Sequence, residues 1–246
     1  MLVTDKFVFL HLPRAGGTFV YDVVTKFFPS AREIGYHLPR EVLPREYSHL
    51  PVLGTVRNPW EFYVSWYHYH YTDALYSPSK NVLFYCVSND RTLDFVQTVR
   101  NALNLSANED RINDLIRLLP DKFDHKQRKF PNLTKDTARR IRGSSVGLYT
   151  FRFNELFGQA DDVFFCRVES LRADLIRFFD SIGAASEALR NYVLEVDKKN
   201  TSEHFHYSAY YTAELAELVA IRDHRLIERF GFTFEDKCQD RRSAAV

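Results

Sequence analysis

Two short stretches of the chain combine residue types that bind phosphate groups. The first is His11-Leu12-Pro13-Arg14-Ala15-Gly16-Gly17-Thr18. Glycines between a strand and a helix let backbone N–H groups and the positive helix end face an anion. Thr18 adds a hydroxyl donor, and Arg14 places a fixed positive charge at the mouth of the turn. The second stretch is Val56-Arg57-Asn58-Pro59-Trp60, with Ser65 eight positions after Arg57. A guanidinium at a strand end and a hydroxyl two helical turns later can converge on one phosphate. Taken alone, the Gly-Gly-Thr turn equally fits an ordinary tight strand-to-helix connection. It is not the GxxxxGK[ST] turn of nucleoside triphosphatases, because no Lys precedes Thr18 and no acidic residue ends an obvious strand to hold magnesium.

These groups need a scaffold, and the hydrophobic pattern supplies one. Lys6 to Leu12 is a short β-rich apolar run that stops at Pro13, after which Phe19, Val20, Val23, Val24, Phe27 and Phe28 recur at helical spacing. A second strand is expected near Ala31 to Gly35, followed by a loop with Pro39 and Pro44. Pro51 to Val56 reads as a buried strand entering a helix that runs to about His70, with Asn58 as its cap, Pro59 at its first position and Glu61 in its first turn. Asp162 to Arg167 is another buried strand, with Leu171, Leu175, Ile176, Phe178 and Phe179 marking the helix after it. Tyr210 to Phe230 reads as the last long helix.

Strands alternating with helices predict an α/β fold of three layers, with a mainly parallel central sheet and a phosphate-binding turn like that of the P-loop nucleoside triphosphatases. Residues 77–145 read as a helical insertion, with amphipathic pieces at Leu93 to Leu103 and Ile112 to Leu119. One domain over residues 1–246 is expected, with 237–246 as a flexible tail.

The 246 residues are 45% hydrophobic, enough for one sizeable core, and 15% aromatic, with 21 Phe and 14 Tyr suited to an aromatic-lined cleft. Lys and Arg number 33 against 32 Asp and Glu, so no global field recruits nucleic acid or an anionic membrane, and any anion site is local. Cys86, Cys166 and Cys238 are widely spaced and odd in number, which suggests neither a disulfide framework nor a zinc site and fits a reducing, cytoplasmic setting. The first residues lack the pattern of a signal peptide, and no run of eighteen apolar residues occurs. Asn-x-Ser/Thr triplets begin at Asn104, Asn132 and Asn200, and they carry meaning only in a secreted protein.

On these residues the chain resembles the sulfotransferases that use 3′-phosphoadenosine 5′-phosphosulfate (PAPS), and in particular their bacterial and polysaccharide-modifying members. Pro13 to Thr18 matches the family's Pro-Lys-x-Gly-x-Thr type turn, and Arg57, Pro59 and Ser65 match its Arg-x-Pro…Ser pattern. Phe165-Cys166-Arg167-Val168-Glu169-Ser170-Leu171 looks like the strand and R-x-E-x-L turn of many members. Lys198-Lys199-Asn200-Thr201-Ser202, Tyr210-Tyr211-Thr212 and Phe230-Gly231-Phe232 are similar to the C-terminal segment. The pieces follow the family's order and span most of the chain. Two positions depart from the pattern: Arg14 stands where the family usually has Lys, and Phe19 where it commonly has a small residue.

The resemblance implies that Arg14, Ala15, Gly16, Gly17, Thr18 and Phe19 hold the 5′-phosphosulfate, with Arg14 also supporting the transfer itself. It implies that Arg57 and Ser65 hold the 3′-phosphate, with Lys199 and Ser202 closing over it, although those two also read as a solvated polar loop. His37, about twenty residues before Arg57, sits where the family often carries its catalytic base, and imidazole suits that task. His11 and Glu33 are its rivals. The transfer requires no metal.

Arg167 and Glu169 read as a structural ion pair. Most of the aromatic series Trp60, Phe62, Tyr63, Trp66, Tyr67, Tyr69 and Tyr71 reads as core. The basic stretch Lys122, Lys126, Arg128, Lys129, Lys135, Arg139, Arg140 and Arg142 is either a solvent-facing surface or a guide for an anionic glycan. A carbohydrate hydroxyl is the expected acceptor, with small hydroxylated molecules or amines as alternatives. Two other functions remain: a small-molecule kinase or nucleotide hydrolase of related fold, and a non-catalytic module that binds the donor or its product, 3′-phosphoadenosine 5′-phosphate (PAP).

Overall fold

A computed structural model of the chain describes residues 1–74, 76–79, 81–125, 132–158, 161–196 and 205–235. They form a mixed α/β structure with five strands: β1 Leu2–Val3, β2 Val8–Leu10, β3 Arg32–Glu33, β4 Val52–Val56 and β5 Val163–Arg167. The helices are α1 Gly17–Phe27, α2 Pro59–Thr72, α3 Val82–Ser88, α4 Phe95–Leu103, α5 Glu109–Leu118, α6 Lys135–Ile141, α7 Leu148–Phe157, α8 Leu171–Ser181, α9 Glu187–Glu195, α10 Ala213–Arg222 and α11 His224–Phe230. The chain divides into two compact units, one of Met1–Arg57, Phe123–Asn132 and Phe153–Thr201, the other of Asn58–Lys122, Leu133–Arg152 and Ser202–Val246.

All five strands lie in the first unit, in the order β3-β1-β2-β4-β5. The expected mainly parallel sheet is parallel only across β2, β4 and β5. At the other edge, β1 pairs antiparallel with both β2 and β3. Strands of two residues leave almost no periodic trace, which is why β1 was not anticipated and β3 is shorter than its apolar surroundings suggest.

The register decides what each face of the sheet buries. Phe9 aligns with Leu53 and Leu53 with Phe164, and this row meets Val20, Val23 and Val24 of α1, Phe178 of α8 and Leu189 and Val193 of α9. The next row turns Phe165 to the opposite face, where Phe153 and Phe157 at the end of α7 approach it with ring centroids at 5.1 and 4.9 Å. The sheet of the first unit is therefore covered on both sides. Each fully buried aliphatic or Phe side chain contributes about 1.5–3 kcal/mol.

The second unit contains α2 to α6, α10, α11 and the start of α7, and none of its described residues is in a strand. Helix α2 begins as its sequence predicts: Asn58 accepts from the Trp60 amide at 3.0 Å, with Pro59 in the first turn. Trp60, Phe62, Tyr63, Trp66 and Tyr67 are buried, and Phe62 stacks on Tyr149 at 3.9 Å, so most of this aromatic series is core.

The single long helix expected from Tyr210 to Phe230 breaks at Asp223. That carboxylate is fully buried and accepts from the Tyr63 hydroxyl at 2.8 Å, the Thr150 amide at 2.9 Å and the Thr150 hydroxyl at 2.6 Å. Burial pushes both the Asp223 carboxyl and the Tyr63 hydroxyl above their ordinary ranges. A carboxyl buried this deeply is tolerated because both of its oxygens receive hydrogen bonds.

Cys86 and Cys166 are buried thiols, and Cys238 lies outside the described residues. No described helix is long and apolar enough to cross a membrane.

Candidate active site

Because β2, β4 and β5 run parallel, their carboxyl ends lie along one edge of the first unit's sheet, with an arginine closing β5, one directly after β4 and one in the loop four residues past β2. Arg14 follows β2, Arg57 follows β4, and Arg167 closes β5. Open α/β sheets bind ligands at this edge. The whole chain carries a net charge of only +1, so the positive charge concentrated there is local.

The loop from His11 to Gly16 connects β2 to α1. Gly16 has φ 78°, a left-handed conformation that suits glycine, and a Cβ there would stand 2.9 Å from Leu171 Cδ2. The turn therefore rests on the 165–171 segment, the third stretch of the family resemblance. The cap position of α1 is Gly16, which has no side chain to bond the helix's first amides. The Phe19 amide is already bonded to Gly16 O at 3.1 Å, which narrows the expected run of free donors to the residues before it. The Phe19 ring belongs to the core and lies under the Arg172 guanidinium at 5.3 Å. That packing explains a large residue where the family usually has a small one. Ala15 is fully buried, while Arg14 and Thr18 are partly exposed.

The structure brings Arg57 to this turn. Its Nη1 donates to the Arg14 carbonyl at 3.3 Å, so the guanidinium of the second motif lies against the backbone of the first. Ser65 is on α2 in the second unit, where it is 1% exposed, and its pairing with Arg57 continues to rest on their spacing. Lys199 and Ser202 lie outside the described residues.

The same turn positions His37. The His37 ring is 6% exposed, with Nδ1 at 2.7 Å from the His11 carbonyl. A carbonyl only accepts, so Nδ1 carries a proton, and the neutral tautomer compatible with this bond has its lone pair on Nε2. Arg14 and His37, the two residues nominated for chemistry, also have left-handed backbones, at φ 61° and 53°. Each such non-glycine conformation costs about 1–3 kcal/mol and persists only where surrounding contacts impose it.

The rivals of His37 are otherwise engaged. Glu33 accepts from the Tyr21 hydroxyl at 2.8 Å. His11 is 4% exposed, stacks on Phe9 at 5.7 Å and meets the rings of Tyr36 and His37 at 4.8 and 4.4 Å. Its Nδ1 has no hydrogen-bond partner among the described residues, and burial lowers its pKa to about 3.

That shift has a defined sign. The folded state keeps His11 neutral while the unfolded chain protonates it near pH 6.5, so its contribution to stability is complete above that pH and declines as pH falls toward 3. Between pH 7.5 and 5 the loss from this one group is about 2 kcal/mol. Urea unfolding at the two pH values should show the wild type losing that much more stability than His11→Gln.

At the end of β5, Arg167 and Glu169 are 3.9 Å apart and both partly exposed, an ion pair of little energy. What organises this turn is Asp174, 1% exposed, which accepts from the Arg167 amide and the Ser170 hydroxyl, each at 2.8 Å. Sequence reasoning missed Asp174, and its place in the first turn of the 171–181 helix was the available signal. It missed Tyr36, which no local pattern marked, and the structural part of Asn132, which it noted only as the start of an Asn-x-Thr triplet.

Part of the basic stretch in the second unit is neutralised. Lys135 meets Asp121 at 3.0 Å, Arg142 meets Glu109 at 2.9 Å, and Arg139 pairs with Asp136. Lys126, Arg128 and Lys129 lie outside the described residues.

Among solved structures, the chain is similar to mouse sulfotransferase SULT7A1 complexed with PAP, at 13% identity and a TM-score of 0.48, covering 96% of this chain and 88% of that one. No protein-family model matches the chain, and no curated protein does.

Proposed function

We propose that the chain is a PAPS-dependent sulfotransferase, passing a sulfuryl group to an acceptor hydroxyl or amine, with a carbohydrate as the preferred acceptor class. The reading is carried by one observation: a single turn holds both kinds of group the reaction needs. The His11 carbonyl fixes the proton of His37 on Nδ1, and three residues later the Arg14 carbonyl receives Arg57.

The residues present suit a phosphate: a helix start whose cap position is the side-chain-free, left-handed Gly16, with the guanidinium groups of Arg14 in the turn and Arg57 directly after β4. The donor supplies the sulfuryl group. Arg14, Thr18 and the first amides of α1 would hold its 5′ side and balance the charge that grows on the leaving phosphate. Arg57, together with Ser65, Lys199 and Ser202, would take its 3′-phosphate. His37 Nε2 would receive the acceptor's proton as the acceptor approaches sulfur.

Arg57→Ala tests the donor assignment. One charge-assisted contact is worth about 1.5–3 kcal/mol, so calorimetry should show adenosine 3′,5′-bisphosphate binding about tenfold to a hundredfold more weakly, with ATP affinity unchanged. Unchanged bisphosphate affinity overturns the assignment. Magnesium-dependent tightening of ATP in the wild type would instead favour a kinase or hydrolase. The acceptor class is tested by supplying PAPS with a panel of acceptors and measuring released PAP. Failure with every glycan removes the carbohydrate preference.

A further inference from the structure

The loop that carries His37 is held from outside by a residue far away in sequence. Asn132 is 5% exposed and spends both ends of its amide on backbone. Its Nδ2 donates to the Asp124 carbonyl at 2.7 Å and to the Tyr36 carbonyl at 3.3 Å, while its Oδ1 accepts from the Asp124 amide at 3.0 Å. Two carbonyls that only accept and one N–H that only donates leave a single orientation for the amide. On the same side, His125 Nδ1 lies 3.4 Å from the Ile34 carbonyl. Beyond His37, the Arg40 guanidinium grips Asp162 through two bonds of 2.7 Å each.

We infer that Asn132 is a positioning residue for His37, clamping the Tyr36 carbonyl so that the next residue keeps its left-handed backbone and its Nδ1 bond to the His11 carbonyl; as a statement about catalysis, this rests on the sulfotransferase reading. The physical requirement is clear. A left-handed histidine relaxes unless neighbouring contacts impose the conformation, and the Tyr36 carbonyl belongs to the peptide unit that joins Tyr36 to His37. Releasing that carbonyl frees the ring to turn, and a displacement of about 1 Å at a catalytic group can cost about a hundredfold in rate. The same contacts show that Asn132, although it begins an Asn-Leu-Thr triplet, is an internal structural amide.

The test is Asn132→Ala, alone and combined with His37→Ala. The single variant should lower kcat about tenfold to a hundredfold with little change in bisphosphate affinity. In the His37→Ala background it should change kcat by less than about twofold, because a residue that acts through His37 has nothing left to act on. Unchanged kcat in the single variant, or an equal loss in both backgrounds, overturns the inference. Should Asn132→Ala not fold, Asn132→Asp keeps the shape and the Oδ1 acceptor but sets an oxygen against the two carbonyls, and it is judged by the same comparison.

A second measurement does not depend on turnover. Long-range nitrogen NMR should show His37 protonated on Nδ1 in the wild type and a mixture of tautomers in either variant. An unchanged tautomer in the variants overturns the clamp. If the wild type transfers no sulfuryl group at all, the functional reading fails, and the tautomer measurement alone decides the clamp.

Discussion

Replacing His37 with Ala should abolish most turnover, lowering kcat by about 10²–10⁴-fold, while affinity for PAP changes little. The size follows from removing the proposed general base, whose rivals in the cluster are engaged elsewhere. His11 is buried, packed against the helix start and held neutral by burial, with a pKa of about 3. Glu33 is engaged by the Tyr21 hydroxyl at 2.8 Å. Of the three candidates, His37 is the one whose Nδ1 proton is fixed on a backbone carbonyl, at 2.7 Å from His11 O.

The unchanged affinity follows because His37 is not itself a candidate anion donor, and its truncation leaves the His11 carbonyl and the Arg14–Arg57 contact of the shared turn in place. Initial rates of PAP release under saturating donor, paired with calorimetry, check both halves of the expectation. Surviving turnover would assign the base elsewhere. A wild type that binds PAP but transfers nothing to any acceptor would point to a binding module.

Gly17→Ala should damage the site and the fold together. A Cβ at Gly17 would lie 2.0 Å from His11 Cδ2 and 2.4 Å from His11 Nε2, far inside contact distance. The imidazole cannot retreat freely, since the rings of Phe9, Tyr36 and His37 surround it. Overpacking of a closed core typically costs about 1–3 kcal/mol, which lowers Tm by roughly 2–12 °C in a chain of this size.

If His11 moves, its carbonyl and the Nδ1 bond of His37 move with it, so PAP binding and turnover should fall along with stability. Thermal unfolding and calorimetry on the one variant check this. Wild-type Tm and affinity in Gly17→Ala would mean that the tight contact between ring and helix start does not govern the turn. The distance also explains why two glycines follow each other: Gly16 is required by its backbone angle, Gly17 by the histidine beside it.

Much of the first unit was legible because its signals are local. The apolar runs around Val8–Leu10, Val52–Val56 and Val163–Arg167 are short and continuous, the first two fully buried and the third a partly buried edge strand, and each is followed by helical spacing. Asn58 and Pro59 marked the start of α2 by cap chemistry alone. The turn at Arg14 to Thr18 and the strand-end Arg57 could be nominated for phosphate binding from residue type and spacing.

Tertiary structure decided how these pieces are used. The contact between Arg57 and the Arg14 carbonyl joins residues 43 positions apart, and Asn132 reaches the Tyr36 carbonyl across 96. The proposal of His37 rather than His11 turns on which ring nitrogen meets a carbonyl, a fact with no sequence period. Asp223 interrupts a strongly helical stretch because Tyr63 and Thr150, brought in from elsewhere in the chain, supply donors that make a buried carboxylate tolerable. Short-range patterns record the backbone's own preferences, whereas pairings between distant polar groups arise only when packing of the core brings them within bonding distance.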